Sequence, residues 1–259
     1  KRTYARKIEE FGRLEEWHET VERGCNGLLE IGAIYTREEV EQLAYYWYML
    51  KGTPAGRPIW QLGTDTVRRI GGDSMLNCWH VAVNDPIDPF TFTFNQLMLG
   101  GGVGFNIHPE YVYEIPKIRF KISVERVDSF DCDVIVTDNR EGWVDLLRRV
   151  LEGFFFTNKN VKYNTKCIRQ KGLPIKGFGG VASGPEELVR GIGLIADILS
   201  RAHGRKLRPV ECMDIMNIIG MIVVAGNVRR SAEIAIGSPN DEEYISAKDW
   251  SRRTVPPWR

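Results

Sequence analysis

The stretch MLNCWHVAV, residues 75–83, is the most informative part of the chain for the fold. It is short and apolar, which is typical of a strand buried in a sheet. A short helix is predicted next, at residues 90–99, and a second apolar strand, residues 102–107, follows a run of three glycines. Alternating strands and helices are typical of a mainly parallel sheet, because a crossover helix returns the chain to the end of the sheet where it started. The stretch therefore predicts an α/β fold.

The rest of the chain continues this alternation. Strands are predicted where apolar and polar residues alternate, and helices where apolar residues recur at helical spacing behind a capping residue. The predicted strands are residues 118–124, 133–137 and 228–236, and the predicted helices are residues 9–21, a helix from the Thr36 capping box through Met49, one from Asp138 to about Glu152, one from Pro185 through Leu199, and the largely apolar residues 210–225. We therefore expect a helical amino-terminal region, residues 1–55, and an α/β region, residues 56–259.

Composition and charge indicate an ordinary globular protein. Of the 259 residues, 43% are apolar and 27% charged, with 35 basic against 34 acidic side chains, so no overall field favours nucleic acid or a membrane surface. The longest apolar stretch, residues 215–225, is too short to span a bilayer, and the charged start of the sequence is unlike a signal peptide. These features predict a cytoplasmic protein with neither a membrane nor a nucleic-acid partner.

The five cysteines are odd in number and widely spaced, without a CxxC pair, which favours a reducing cytosol over a disulfide scaffold or zinc ribbon. Cys132 lies between Asp131 and Asp133, whose charges disfavour a nucleophilic thiolate, and Cys212 lies on the apolar helix. Cys78 lies in the first predicted strand, where an inert buried thiol is the usual occupant. The four histidines are dispersed, so no metal site is predicted.

Two glycine-rich runs need separate interpretation. GGGVGF, residues 100–105, has Phe105 where the dinucleotide-binding fingerprint requires glycine, and no helix is predicted after it. GFGGVASGP, residues 177–185, precedes a predicted helix, where backbone amides can face a phosphate. A plain tight turn explains either run equally well from spacing alone.

Eight segments, taken in order, resemble one enzyme family. They are KRTYAR (1–6), TPAGR (53–57), GTD (63–65), GDSMLNCW (72–79), GGGVGF (100–105), NREGW (139–143), GFGGVASGP (177–185) and AGNVRRSAE (225–233). Together they resemble the amino-terminal part of the class II, adenosylcobalamin-dependent ribonucleoside-triphosphate reductases of lactobacilli and related phages. The resemblance extends over nearly the whole chain and implies a bacterial or phage-encoded protein of the cytoplasm.

The resemblance implies both a fold and a reaction. The fold is a ten-stranded α/β barrel of two five-stranded parallel halves behind a helical region, of which this chain would form the helical region and the first half-barrel. The reaction replaces the ribose 2′-hydroxyl by hydrogen. A thiyl radical, made with adenosylcobalamin, abstracts the 3′-hydrogen, and a cysteine pair supplies two reducing equivalents. The radical cysteine and the second reducing cysteine belong to the half that this sequence lacks, so the chain alone is expected to be inactive.

The resemblance also implies roles for individual residues. Cys78 matches the first-strand member of the reducing pair. Substrate contacts are implied for the Thr64 hydroxyl, Ser74, Asn77 and the backbone at Gly101 and Gly102, where a side chain would block the ribose. The loop that relays effector identity to the substrate base is matched by Gly177, Phe178, Gly179, Gly180, Val181, Ala182, Ser183 and Gly184. Arg229 and Arg230 are either a solvated strand face or phosphate ligands.

The implied partners are a nucleoside triphosphate substrate, a deoxynucleotide effector, a thioredoxin-like or dithiol reductant, and a complementary carboxy-terminal chain or a second copy. Residues 83–90 and 124–138 are shorter than in the lactobacillus enzyme, where inserted structure helps to build the effector site. Effector control in this chain would then need a partner subunit or be lost. Two alternatives stay open: a non-catalytic deoxynucleotide-binding module, and a fragment of a class I large chain, although the Asn-Cys-Trp context favours the cobalamin type.

Overall fold

Helices and parallel strands alternate along the chain in the computed structural model, which describes residues 4–32, 35–173, 181–224, 231–251 and 254–259. The helices are α1 (Trp17–Glu30), α2 (Arg37–Tyr48), α3 (Gly56–Gln61), α4 (Asp65–Ile70), α5 (Asp88–Met98), α6 (Pro109–Val112), α7 (Arg140–Glu152), α8 (Glu186–Arg201), α9 (Pro209–Val224) and α10 (Glu242–Ile245). The strands are β1 (Lys7–Ile8), β2 (Arg13–Leu14), β3 (Cys78–Ala82), β4 (Gly102–Asn106), β5 (Val124–Arg126), β6 (Val134–Ile135), β7 (Val161–Asn164) and β8 (Ala232–Ile236). Contacts divide the chain into two units, Lys1–Leu76 and Asn77–Arg259.

The first unit is built around the helix pair α1 and α2. The predicted capping box at Thr36 is confirmed, since its hydroxyl accepts from the Glu39 backbone and the Glu39 carboxylate accepts from the Thr36 backbone. The helix predicted at residues 9–21 is wrong in its first half. Residues 7–14 form an antiparallel hairpin that turns at Gly12, where φ is +62°, and α1 begins only at Trp17.

Residues 56–76 belong to the first unit by their contacts. The Arg6 guanidinium donates to the Trp60 carbonyl at 3.0 Å, and Arg23 donates to the carbonyl of Ile59 at 3.1 Å. These bonds tie α3 and the residues after it to the amino-terminal helices. By contacts the division falls after Leu76, and the domain boundary expected after residue 55 stays a prediction.

The second unit contains two three-stranded parallel sheets, ordered β3-β4-β8 and β5-β7-β6. Helices α5 and α9 pack on one face of the first sheet and contact α7 and α8, which contact the second sheet. The predicted parallel direction is confirmed, but the strands do not form one sheet. An alternating pattern marks a strand as half-buried and does not specify its neighbours. Within the described ranges the first sheet has three strands, and the predicted five-stranded half-barrel is not seen.

Residues 118–123, predicted as a strand, are bonded to turns instead of a strand. The Ile118 N–H donates to the Arg205 carbonyl at 3.0 Å, and the Phe120 N–H donates to the Phe154 carbonyl at 3.0 Å. The alternation did identify the buried side chains, because Ile118 and Ile122 lie in the core. Burial thus follows the sequence pattern even where the strand ladder is absent.

The helices of the second unit follow their sequence signals closely. Asn139 caps α7, accepting from the Gly142 N–H at 2.8 Å, and this corrects the predicted cap at Asp138, whose carboxylate binds Arg169. Helix α9 is buried along nearly its whole length, as its apolar sequence predicted. Across the described parts of the chain, none of the helices has the length and apolar character needed to cross a bilayer.

Candidate functional site

Among the described residues, helices cover the first sheet on one face only. The side chains of Val103 and Phe105 point toward α5 and α9 and are fully buried. The opposite face, here called the open face, is lined by Cys78, His80, Gly102, Gly104, Ala232 and Ile234. Ile234 is 64% exposed there, far more than an isoleucine inside a sheet core. The small side chains and the exposed apolar surface therefore indicate that this face is a binding surface.

Cys78 is the first residue of β3 and lies at the edge of the open face. Its thiol is free and exposed, and it pairs in register with Gly102 on β4. The Gly102 N–H donates to the Asn77 carbonyl at 2.6 Å, which fixes the start of β4 beside the start of β3. The expectation that Cys78 is buried is therefore wrong, because the strand carries it on the uncovered face, whereas its part in a reaction stays a prediction.

Gly101 and Gly102 differ in whether the surrounding structure has room for a side chain. A Cβ at Gly101 would lie 2.9 Å from a carbon of the Trp79 ring and 3.0 Å from the Gln96 carbonyl oxygen, so packing inside the chain excludes a side chain there. A Cβ at Gly102 would meet nothing closer than 3.5 Å. The fold itself accepts a side chain at Gly102, and any requirement for glycine there comes from a molecule that approaches the open face.

The helix-facing side of the sheet holds a partly buried acid with a buried carboxylate oxygen, which sequence reasoning missed. Glu233 on β8 lies against Gly220 of α9, where a Cβ would be 2.6 Å from the Glu233 carboxylate. Glu233 Oε1 has no hydrogen-bond partner among the described residues, and burial raises the pKa of this carboxyl to about 8. Its position in the alternating β8 pattern, opposite to the exposed Ala232 and Ile234, was the signal that could have identified it.

The other four cysteines differ in how exposed they are to solvent. Cys25 and Cys212 are buried, and burial raises the pKa of both thiols, so the prediction that Cys212 belongs to the core is confirmed. Cys132 is partly buried, and its sulfur contacts the Val134 carbonyl at 3.4 Å. Cys167 is exposed after β7. Of the five, Cys78 is the cysteine that the open face of the first sheet carries.

Thr64 and Ser74 lie in the first unit, whereas Asn77, Cys78 and the two glycines lie in the second. The Thr64 hydroxyl donates to the Gln61 carbonyl at 2.6 Å. Ser74 is completely buried, and its hydroxyl donates to the Gly71 carbonyl at 2.8 Å. Both hydroxyls thus stabilise local turns, and their contact with a substrate stays a prediction.

The predicted effector loop is only partly described. Gly177, Phe178, Gly179 and Gly180 lie outside the described residues, as do Arg229 and Arg230. The other half, Val181 to Gly184, precedes α8: Ala182 exchanges backbone hydrogen bonds with the turn at 172–173, and Gly184 has a φ of +77°. Its role in effector binding stays a prediction.

Sequence reasoning also missed His80, which it treated as one of four dispersed histidines. His80 is exposed two residues after Cys78, and a Cβ at Gly104 would lie 3.4 Å from its ring. Residues at positions i and i+2 of a strand share a face. This spacing alone would have placed the imidazole beside the thiol.

Two family models match parts of the chain. The model described as "Ribonucleotide reductase alpha domain" matches residues 1–64. The model described as "B12-dependent ribonucleotide reductase, insertion domain" matches residues 123–199, which contain the second sheet, α7 and most of α8. The inserted region expected to be reduced therefore has a recognisable counterpart in this chain.

Curated relatives and a solved structure agree with these matches. The chain is 38% identical to the adenosylcobalamin-dependent ribonucleoside-triphosphate reductase of Lactobacillus delbrueckii subsp. bulgaricus and 37% identical to that of Lactobacillus leichmannii, over 96% of this chain and 41% of each relative. A crystal structure of a B12-dependent (class II) ribonucleotide reductase matches with a TM-score of 0.84 and 33% identity, over 96% of this chain and 42% of that one. The chain thus spans about two fifths of the length of these relatives and matches their amino-terminal part.

Proposed function

Because this chain belongs to the class II, adenosylcobalamin-dependent ribonucleotide reductase family, we propose that it forms the amino-terminal part of an enzyme that reduces ribonucleoside triphosphates to deoxyribonucleotides. We assign Cys78 as one of two reducing thiols. The observation that carries this assignment is the exposed thiol of Cys78 on a face of small side chains, beside a glycine that the fold does not require.

The chemistry suits a thiol at this position. A sugar radical formed by loss of the 3′-hydrogen expels the 2′-hydroxyl as water once a proton reaches it. Cys78 can supply that proton and then share a disulfide with the second cysteine, whose formation delivers two electrons to the substrate. A dithiol or thioredoxin-like reductant restores both thiols. Gly102 and Ala232 leave space for the ribose above the sheet.

The open face gives the chain an incomplete interior. We assign the first sheet to the first half of the family barrel, with the open face as the barrel wall that faces the substrate. Ile234 and Ile236 are 64% and 44% exposed, and apolar surface of this kind requires a cover. We propose that a carboxy-terminal part, in the same protein or in a complementary chain, covers this surface, which is consistent with the greater length of the relatives.

Effector binding is assigned to the region around the second sheet. The insertion-domain match at residues 123–199 includes the described half of the predicted effector loop, Val181 to Gly184. A deoxynucleotide effector in this region would reach the substrate through the loop at residues 177–184. We place the protein in the bacterial cytoplasm, where its reducing thiols remain reduced.

The described residues do not fit adenosylcobalamin as a binding site of their own. The open face offers one wall of small and apolar side chains, and no cluster of three or more His, Cys, Asp or Glu side chains in the described ranges is arranged around a metal. When bound to the complete protein, the cofactor supplies the radical. No residue of this chain is assigned to it.

Nucleotide reduction by the complete protein tests the proposal. We expect ribonucleoside triphosphate, adenosylcobalamin and a dithiol to give deoxynucleotide with the complete protein, and no product above background with residues 1–259 alone. Product formed without adenosylcobalamin would support the class I alternative. Deoxynucleotide binding by the complete protein without any turnover would support the non-catalytic alternative.

A further inference from the structure

Cys78 and His80 stand side by side on the open face. A strand rises about 3.3 Å per residue, so their Cα atoms are about 6.6 Å apart. Opposite them on β4 are Gly102 and Gly104, which have no side chains to separate or cover the thiol and the imidazole. Both side chains are exposed, and a water molecule can bridge two polar side chains that share one face of a strand.

The surroundings of His80 contain no competing charge from this sheet. The positions in register with it are Gly104 on β4 and Ile234 on β8. No hydrogen bond or ion pair holds the imidazole within the described part of the chain. Of the residues that line the open face, Cys78 is therefore the one titratable neighbour of His80.

We propose that His80 carries the proton to and from the Cys78 thiol when the enzyme disulfide is reduced. This inference rests on the proposed role of Cys78. Thiolates are the attacking and leaving species in thiol–disulfide exchange, so each exchange at Cys78 moves one proton. An imidazole is the side chain whose ordinary titration lies nearest to neutral pH, and it can accept or return that proton without a large free-energy cost.

A thiolate of the external dithiol attacks the sulfur of the second cysteine, and the bond from that sulfur to Cys78 breaks. The bonding electron pair stays on the Cys78 sulfur, which takes a proton from the His80 imidazolium. The second thiol of the reductant then attacks the mixed disulfide and releases the second cysteine. The dithiol becomes a disulfide, the enzyme disulfide becomes two thiols, and the imidazole regains its proton from water.

Alkylation of Cys78 in the 259-residue chain tests this coupling without requiring activity. Iodoacetamide is applied between pH 5.5 and 9, and the labelled Cys78 peptide is quantified by mass spectrometry. We expect a step in the rate of Cys78 labelling in the native sequence that the Cys167 profile lacks, and loss of that step with a roughly tenfold lower rate at pH 7 in His80→Gln. The labelling of Cys167, which is also exposed, is the internal standard.

His203→Gln is the matched control, because His203 is also exposed but lies beyond the end of α8. It should leave the Cys78 profile unchanged. His80 is exposed, so its replacement by glutamine should preserve the fold, which circular dichroism checks. Identical Cys78 profiles for His80→Gln and the native sequence would overturn this inference while leaving the proposed function intact. Full reductase activity of Cys78→Ser in the complete protein would instead overturn the proposed function.

Discussion

Replacement of the partly buried acid Glu233 by glutamine should stabilise the second unit. Burial raises the pKa of this carboxyl from 4.5 to about 8, so the folded chain holds it neutral at pH 7 whereas the unfolded chain ionises it. Each pH unit above the ordinary pKa of 4.5 costs the folded state about 1.4 kcal/mol. At pH 7 the protonated carboxyl therefore lowers the free energy of unfolding by about 3 kcal/mol. Glutamine has nearly the same shape and does not ionise, and so removes the cost.

The dependence on pH gives the sharper test. Because the folded pKa of Glu233 lies above the unfolded one, the cost is absent below pH 4.5 and grows as the pH rises toward 8. Urea unfolding followed by circular dichroism between pH 5 and 8 should show a widening gap between Glu233→Gln and the native sequence. Glu125→Gln, at an exposed position on β5, is the matched control and should show no gap. Parallel pH profiles for Glu233→Gln and the native chain would refute the burial argument.

Three further predictions concern the two glycines at the start of β4, the paired carboxylate of Glu211, and one exposed and one buried cysteine. Gly102→Ala should change the unfolding free energy by less than about 0.5 kcal/mol, whereas Gly101→Ala should lower it by about 1–3 kcal/mol. The reason is that only the Cβ at Gly101 would press against an indole ring. Equal costs of the two variants in urea unfolding would contradict this. Burial alone would raise the pKa of Glu211, but hydrogen bonds from two half-exposed arginines lower it to about 2. Glu211→Gln should therefore cost about 1–2 kcal/mol at pH 7, a cost that shrinks as the pH falls from 4.5 toward 2, and an acid titration that shows no such convergence would exclude it. Iodoacetamide should label Cys167 and spare Cys212 in the native chain, and equal labelling by peptide mass spectrometry would show that the burial of Cys212 is wrong.

Local structure was predictable where a residue acts on its own neighbours. The capping box at Thr36 and the apolar run of α9 each fixed a helix. The hairpin at residues 7–14 was not predictable, because its turn depends on a single glycine, Gly12, inside a charged segment that reads equally well as a helix. Sequence reasoning also did not predict that β5, β6 and β7 form a separate sheet. That arrangement depends on how α7 and α8 pack against elements distant in the sequence.

The exposure of Cys78 was not predictable from local sequence, and the roles assigned to the site residues stay predictions. Resemblance to the family identified Cys78 and the adjacent glycines, whereas local sequence favoured a buried thiol. In the structure Cys78 is exposed on the uncovered face of the first sheet, and His80 lies beside it on that face. The hydroxyls of Thr64 and Ser74 donate to turns within the first unit, and their contact with a substrate stays a prediction.

Reduction of nucleotides by the complete protein with Cys78→Ser tests the central assignment most directly. Serine is nearly isosteric with cysteine, and Cys78 is exposed, so the fold should be unaffected. We expect no deoxynucleotide, continued consumption of adenosylcobalamin and release of free base from the substrate, because the proposed function places the radical on another cysteine and Cys78→Ser removes only a reductant. Cys132→Ser and Cys167→Ser, the matched controls, should retain activity. Deoxynucleotide formation at the normal rate by Cys78→Ser would show that this thiol takes no part in the reaction.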